Sequence, residues 1–381
     1  MKLDSMLSGG VWGTVLLAPV AAAQGPSGAT WSVYFGTDGP EARGIYRSSF
    51  DAEQGTLSKP ELAAEIDAPG FLALHPAGDK LYAVADSSDG PGVAGYAIGA
   101  RGELTPIGTS PTGAGGGAHV AVHPSGKFLL TAQYGSGTVA LFPLDPEGRL
   151  GPAKLTRHEG GSRVVAKRQE SPHPHWCGFS PDGRFALVPD LGLDGVVLYR
   201  VDETQLALER HGFAAAPPGS GPRHLRFAPD GKHVYLLNEL SLSVTAFAWD
   251  AELGAATVLA TTPTLSEDAK RKEDFNSAAE ILVHPSGRFV YTSNRGHDTV
   301  TVFRADPASG ALEALQSQPI RGAFPRHIQL SPDGAWLLAA GADSNTVSVH
   351  RVDPKLGLLT YKTRGIVNVP APICILFAAA P

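Results

Sequence analysis

The stretch RHLRFAPDGKHVYLLNE, residues 223–239, contains the pattern that decides the fold: a short strand, a tight x-Pro-x-Gly turn and a second strand. Pro229 suits the second position of such a turn because its ring fixes φ, and Gly231 follows at the fourth position. The same unit recurs six times, with prolines at Pro76, Pro124, Pro181, Pro229, Pro285 and Pro332. Successive copies therefore lie 48, 57, 48, 56 and 47 residues apart.

A period near 50 residues with several strands per unit is typical of β-propeller blades. Residues 31–37 and 44–51 resemble the second and third strands of a blade that lacks its first strand, whereas residues 371–377 resemble a first strand with nothing after it. Joined, they complete a seventh blade and remove the exposed sheet edges of an open array. The sequence therefore predicts an all-β fold, a seven-bladed β-propeller of four-stranded antiparallel blades, as one domain over residues 24–381.

The N-terminus predicts export of the protein. Residues 1–23 combine Lys2, an apolar stretch over residues 11–20 and small residues at Ala21 and Ala23, which is the pattern of a secretory signal peptide. We expect a periplasmic or secreted protein, with a cytoplasmic protein as the alternative.

Charge and hydropathy limit the partners. A formal net charge of −6 without a long basic run argues against nucleic acid, and no apolar segment is long enough to span a membrane. A small molecule is the expected partner. The oligomeric state is open, with a monomer favoured.

Polar residues recur at one end of several predicted blades. The first strand of a blade lines the channel, so its start and the end of the second strand lie toward one mouth. Counted from a turn centred between Pro229 and Asp230, Arg223 should pair near Val234 to Leu236, with Glu239 just beyond the same end. The first-strand positions are His119, His173, His175, Arg223, His224, Glu280, Arg326 and His327, and the second-strand positions include Glu239 and Arg295.

Four of these residues form a set that suits the addition of water to an ester carbonyl. A base deprotonates the water, and guanidinium groups stabilise the oxyanion and hold an anionic group of the substrate. We predict His175, Arg223, Glu239 and Arg295 as catalytic, and His119, His173, His224, Glu280, Arg326 and His327 as substrate-binding. A channel-lining ion-pair network without chemistry remains open from spacing alone.

A metal site and a cofactor are not predicted. His173 and His175 would share a strand face, as metal ligands require, but local spacing fixes no third ligand and Pro174 distorts the strand. The sequence contains no nucleophile elbow, Walker loop or dinucleotide-binding fingerprint.

Four stretches resemble the lactonase family of seven-bladed β-propellers, which includes 6-phosphogluconolactonase and carboxy-cis,cis-muconate cyclase. The similarity covers about residues 31–378 and is most specific in SPHPHWCGFSPDGRFALVPDLGLDGVVLYRVD, GSGPRHLRFAPDGKHVYLLNELSLSVTAFAWD, SAAEILVHPSGRFVYTSNRGHDTVTVF and FPRHIQLSPDGAWLLAAGADSNTVSVHRVD. The resemblance implies lactone opening without a metal, by the active-site set His175, Arg223, Glu239 and Arg295. It leaves His175 or Glu239 as the general base.

Export bears on the substrate, because 6-phosphogluconolactone is a cytosolic sugar phosphate. We therefore expect another sugar lactone or a carboxylated lactone. The alternatives are a muconate-type lactonising cyclase and a non-catalytic extracytoplasmic propeller that binds a protein or glycan.

Overall fold

The computed structural model of the protein describes residues 30–379, which form seven antiparallel sheets arranged as the blades of a ring. This confirms the predicted all-β, seven-bladed architecture. The expected signal peptide, residues 1–23, lies outside the described residues.

Residues 30–157 supply twelve strands of the first three blades. Their strands are β1 (Thr30–Thr37), β2 (Gly44–Asp51), β3 (Thr56–Leu57), β4 (Glu61–Glu65), β5 (Leu72–Leu74), β6 (Lys80–Ser87), β7 (Gly90–Ile98), β8 (Leu104–Pro111), β9 (His119–Val122), β10 (Phe128–Gln133), β11 (Thr138–Pro143) and β12 (Lys154–Arg157). Blade 1 contains β1–β4, blade 2 contains β5–β8 and blade 3 contains β9–β12.

Blades 4 and 5 follow without a linker domain, and one short helix precedes blade 6. The strands of blades 4 and 5 are β13 (Gly178–Phe179), β14 (Phe185–Asp190), β15 (Gly195–Asp202), β16 (Ala207–Ala215), β17 (Pro222–Phe227), β18 (His233–Asn238), β19 (Ser243–Asp250) and β20 (Ala255–Pro263), and the helix is α1 (Glu267–Lys270). Blades 6 and 7 contain β21 (Ser277–Val283), β22 (Phe289–Arg295), β23 (Thr299–Ala305), β24 (Leu312–Pro319), β25 (Pro325–Leu330), β26 (Trp336–Gly341), β27 (Thr346–Val352) and β28 (Leu359–Asn368).

The last strand, β29 (Pro372–Ala379), closes the ring by joining blade 1. It pairs antiparallel with β1, for example Phe377 opposite Val33, and so takes the innermost position of that blade. The two ends of the described chain therefore share one sheet, as the sequence predicts. Closure satisfies backbone groups that an open array would leave unpaired at both edges.

The six x-Pro-x-Gly units all form the predicted tight turns. In each, the glycine N–H donates to the carbonyl three residues earlier, as Gly231 does to Ala228 at 3.0 Å. Each of these glycines has a positive φ, which is +65° for Gly231, a conformation that suits a residue without Cβ. Some units also tie neighbouring blades together, because His123 Nε2 lies 3.0 Å from the carbonyl oxygen of Gly183 in the next turn. The histidines that directly precede some of these prolines therefore stabilise the end of the ring at which the turns lie.

The core lies between the faces of neighbouring blades. Phe185 of blade 4 belongs to one buried cluster with Leu236 and Phe247 of blade 5. All three are 1% exposed or less, and full burial of such side chains contributes about 1.5–3 kcal/mol each. Alternating apolar residues in the strands thus hold successive sheets face to face.

The inner strands of blades 5, 6 and 7 each contain a β-bulge near the same end. In blade 5 the structure pairs Leu225 with Leu236 and Pro222 with Asn238, so Arg223 is the bulged residue. The simple hairpin count, which put Arg223 opposite Val234 to Leu236, is therefore wrong in register. A bulge inserts one extra residue and re-aims side chains, so neighbours that would alternate across the strand turn toward the same side.

Candidate active site

One cavity of about 500 Å³ lies at the mouth of the channel where the inner strands start. All seven blades contribute to its wall, so residues far apart in sequence meet there only because the ring is closed. The wall includes Ile373 of blade 1, Phe71 of blade 2, Ala118 of blade 3, His175 of blade 4, Arg223, His224 and Glu239 of blade 5, Arg295 of blade 6 and Arg326 of blade 7. The four residues predicted as catalytic therefore lie around one cavity.

Glu239 is the only carboxylate in the buried part of this wall. It follows β18 directly, and its N–H donates to the carbonyl of Gly221 at 2.7 Å, which fixes the backbone beyond the strand. Its Oε2 accepts from Arg223 and lies 3.1 Å from Arg295 NH2. Burial alone would raise the pKa of Glu239, but Arg223 and Arg295 outweigh burial and hold it well below its usual range. Glu239 is therefore an anion that positions two buried cations.

His175 shares its partner with Glu239. Arg223 NH1 donates to both His175 Nε2 and Glu239 Oε2, so one guanidinium nitrogen lies between the two candidate bases. Because a guanidinium only donates, the imidazole is neutral and carries its proton on Nδ1. Burial and the adjacent Arg223 lower the pKa of His175 well below its ordinary value.

Arg168 is a further residue of the site that sequence reasoning missed. Its NH2 lies 2.7 Å from Glu239 Oε1, and its side chain is 37% exposed at the cavity mouth. The neighbouring Gln169 anchors this segment, since its buried amide donates to Leu191 O at 2.8 Å and Asp194 Oδ1 at 2.6 Å. Most of the segment between β12 and β13 lies outside the copies of the repeat. The sequence indicates this insertion only through a spacing of 57 residues, where most copies are 47 or 48 residues apart.

Arg326 adds to the cavity a positive charge that no carboxylate of the described residues pairs directly. It occupies the bulge of β25, and among residues 30–379 no carboxylate lies within ion-pair distance of its guanidinium. Burial, and then Arg223, lower the pKa of Arg326. Burial and Arg223 likewise lower the pKa of Arg295, to about 9, which leaves it cationic at neutral pH. In the buried part of the wall, guanidinium groups outnumber carboxylates, since Asp38 and Asp86 are exposed, and such a wall suits an anionic ligand or a developing oxyanion.

A buried cluster beside the cavity contains several of the residues that the sequence predicts to bind substrate. Glu280 is fully buried and accepts from His224 Nδ1 at 2.9 Å and from Arg226 NH2 at 3.0 Å, and its Oε2 lies 3.2 Å from His327 Nε2. His119 contacts the edge of His224, with ring centroids 5.6 Å apart. Of this group only His224 reaches the cavity wall, whereas His119, Glu280 and His327 do not. Their geometry is that of a hydrogen-bonded support for the inner strands.

His173 lies outside the cavity wall as well. Its Nδ1 donates to the carbonyl of Tyr134 at 2.8 Å, and its ring stacks on the Tyr134 ring. Its backbone N–H donates to Asp190 Oδ1 at 2.7 Å, so it fixes the segment that leads to His175.

Residues 30–379 lack both a cluster of metal ligands and a membrane-spanning helix. They contain no group of three or more His, Cys, Asp or Glu side chains placed to hold a metal ion. Within the same range, no helix has the length and apolar character needed to cross a bilayer.

Comparison with known proteins places the chain in a family. The family model for "Lactonase, 7-bladed beta-propeller" matches residues 32–377. The chain is 33% identical to a 6-phosphogluconolactonase of Bacillus subtilis (strain 168) over 339 residues, which covers 88% of this chain and 95% of the relative. It is 31% identical to a 6-phosphogluconolactonase of Formosa agariphila over 308 residues, covering 78% and 84%.

Among solved structures, the periplasmic gluconolactonase of Pseudomonas aeruginosa is similar over nearly the whole chain. The TM-score is 0.85 at 30% sequence identity, and the match covers 93% of this chain and 100% of that one. The match of the family model over the seven blades and these two lines of similarity agree, so the chain belongs to the lactonase family of seven-bladed β-propellers.

Proposed function

We propose that the protein is a hydrolase that opens a sugar or carboxylated lactone in the cavity at the channel mouth. The observation that carries this proposal is the convergence of His175, Arg223, Glu239 and Arg295 around one cavity whose buried wall has more positive than negative charge. Lactone hydrolysis turns a neutral ester into a carboxylate through an oxyanion, so such a wall stabilises the transition state more than the substrate. The relatives named 6-phosphogluconolactonase support the same reaction class.

The proposed reaction starts with a water molecule that attacks the lactone carbonyl carbon. The base removes one proton from the water as the new C–O bond forms, and the carbonyl electron pair moves onto oxygen. Arg223 and Arg295 donate to that oxyanion. The intermediate then collapses, the ring C–O bond breaks, and the departing alkoxide takes the proton back from the base. The product is a hydroxy acid, which releases its carboxyl proton to solvent and whose carboxylate remains between the two guanidinium groups.

We assign the base to His175 rather than Glu239. A base is most effective when its pKa lies near the working pH, and the imidazole starts from a higher ordinary value than the carboxylate. Glu239 also forms ion pairs with three guanidinium groups, which reduces its basicity further. When the substrate oxygen draws Arg223 NH1 away, the lone pair on His175 Nε2 becomes available to water. Glu239 then serves to hold the arginines in place.

The substrate proposed here is an unphosphorylated or carboxylated lactone that the protein meets after export. The signal-peptide pattern of residues 1–23 supports this, and so does the similarity to a protein described as a periplasmic gluconolactonase. A fusion of residues 1–23 to a reporter enzyme tests export. If the segment directs export, reporter activity should be found outside the cytoplasm.

A substrate panel tests the proposed activity. Proton release in a pH-stat should exceed the spontaneous rate with glucono-1,5-lactone, and more so than with its 6-phosphate. Turnover of muconates alone would instead favour a lactonising cyclase, whose dicarboxylate substrates the arginine-rich wall would also hold. Rates equal to the spontaneous rate across the panel would reject catalysis and favour a non-catalytic binding propeller.

A further inference from the structure

A second cavity opens beside the first at the same mouth. It has a volume of about 450 Å³, and we call it the side pocket; it is lined by Asp38, Glu41, Phe324, Arg326, Asp343 and Asn345, among others. Asp38, Arg326 and Ile373 line both this pocket and the main cavity. The two spaces therefore share a wall at the junction of blades 7 and 1, and one elongated ligand could occupy both.

The two spaces differ in where their charges lie. The inner wall of the main cavity has buried Arg223 and Arg295, half-buried Arg326 and one buried carboxylate, Glu239, whereas its other carboxylates, Asp38 and Asp86, are exposed. The side pocket has three exposed carboxylates and only the shared Arg326. Lactone substrates have a matching polarity, because the ester end becomes a carboxylate while the rest of the molecule carries hydroxyl groups. Carboxylate oxygens accept strongly from hydroxyl donors but repel a phosphate or carboxylate.

Phe324 supplies an apolar surface between the two spaces. Its ring lines the side pocket, and the guanidinium carbon of Arg295 lies 5.3 Å from the ring centroid. Its backbone has φ +61°, and its N–H donates to Asp298 Oδ1 at 2.8 Å. The backbone is fixed by that bond, and the ring is placed beside Arg295 and stacked on the Phe275 ring, whose centroid lies 6.1 Å away. An aromatic surface bordered by hydrogen-bonding groups complements a sugar ring, because the aromatic surface contacts the C–H faces of the sugar and the polar groups bind its hydroxyl edges.

We propose that the side pocket binds a second sugar ring, so that the preferred substrates are aldonolactones extended by an uncharged glycosyl group. The lactone ring lies against Arg223 and Arg295, and the glycosyl ring lies beyond Arg326 against Phe324 and the carboxylates. The inference rests on the proposed lactone hydrolysis and defines its substrate class. Oxidation of a reducing disaccharide at its anomeric carbon produces such lactones, so an oxidation of that class would supply the substrate.

The test compares glucono-1,5-lactone with its 4-O-glucosyl form, with spontaneous hydrolysis subtracted. Two or three added hydrogen bonds should raise kcat/KM for the disaccharide lactone about tenfold or more above that for the monosaccharide. Ala342→Trp, which fills the side pocket, should bring this ratio close to one, and Asp343→Ala should lower it about three- to tenfold. Glu53→Ala is the matched control, because Glu53 is an exposed carboxylate lining a different cavity, and it should leave the ratio unchanged.

Calorimetric titration with gluconate and with its 4-O-glucosyl form separates failure of the subsite from failure of the activity. The glycosylated acid should bind about tenfold more tightly, and Ala342→Trp should abolish that difference. Equal affinities, or a difference that survives Ala342→Trp, would overturn the side-pocket proposal even if both lactones are hydrolysed. Absence of turnover with both lactones would overturn the proposed hydrolysis, whereas an affinity difference lost in Ala342→Trp would still support the subsite.

Discussion

Glu239→Gln should destabilise the protein because the substitution removes a buried negative charge from between arginines. The side chains of Glu239, Arg223 and Arg295 are 7%, 4% and 7% exposed, so water cannot replace the lost partner. Breaking a buried ion pair in this way costs about 3–5 kcal/mol. At about 2.1 cal/mol/K of unfolding entropy per residue, the roughly 350 described residues give about 0.7 kcal/mol/K, so Tm should fall about 4–7 °C.

Differential scanning calorimetry at pH 7 measures this change, and Glu313→Gln is the matched control. Glu313 forms an exposed ion pair with Arg304 at 3.1 Å, and its loss should change stability by about 0.5 kcal/mol or less. The stability due to Glu239 is present above the carboxyl's unfolded pKa and is lost as pH falls, because the folded pKa is depressed. The gap between wild type and Glu239→Gln should therefore be constant from pH 8 to about pH 5 and narrow below about pH 4. A Tm equal to that of Glu313→Gln would refute the assigned charge balance.

Three further predictions concern the site and its support. His175→Gln should lower kcat about 100-fold or more while leaving the circular dichroism spectrum unchanged, and a loss under threefold would exclude His175 as the base. Because burial and Arg223 lower the pKa of His175, wild-type kcat/KM should stay level from pH 8 down to below pH 6.5, and an acid limb centred above that pH would contradict the assignment. Asp190→Ala should cost about 3 kcal/mol or more and also reduce activity, because Asp190 accepts from the His158 side chain at 2.6 Å and from the N–H groups of His173 and Gly192. Asp190→Asn keeps the shape of the side chain and one acceptor oxygen, so chemical unfolding should show a smaller loss of stability than for Asp190→Ala. Equal losses would indicate that Asp190 stabilises the protein through its charge alone.

The fold was predictable because each blade repeats a local signal. A turn such as Pro229 to Gly231 depends only on the φ angles of a few residues, and its neighbours alternate apolar and polar as strands require. Closure of the ring was also predictable, since the unpaired strands at the two ends complete one blade. The mouth at which His175, Arg223, Glu239 and Arg295 lie follows from the same hairpin geometry.

The parts that sequence reasoning missed depend on irregular structure. The bulge at Arg223 leaves no residue-type signature, yet it places Arg223 and the adjacent His224 on the same cavity wall. Arg168 reaches Glu239 from a segment outside the repeat, where neither period nor strand pattern gives its position. Which polar residues face the cavity was not predictable either, because Glu280 is paired inside a buried cluster with partners from blades 5 and 7.

A crystal structure of the His175→Gln variant with bound gluconate tests the central claim most directly. The account predicts the product carboxylate in the main cavity, with oxygens about 3 Å from the guanidinium nitrogens of both Arg223 and Arg295. Gluconate bound elsewhere on the protein, with this cavity empty, would contradict the assignment of the active site.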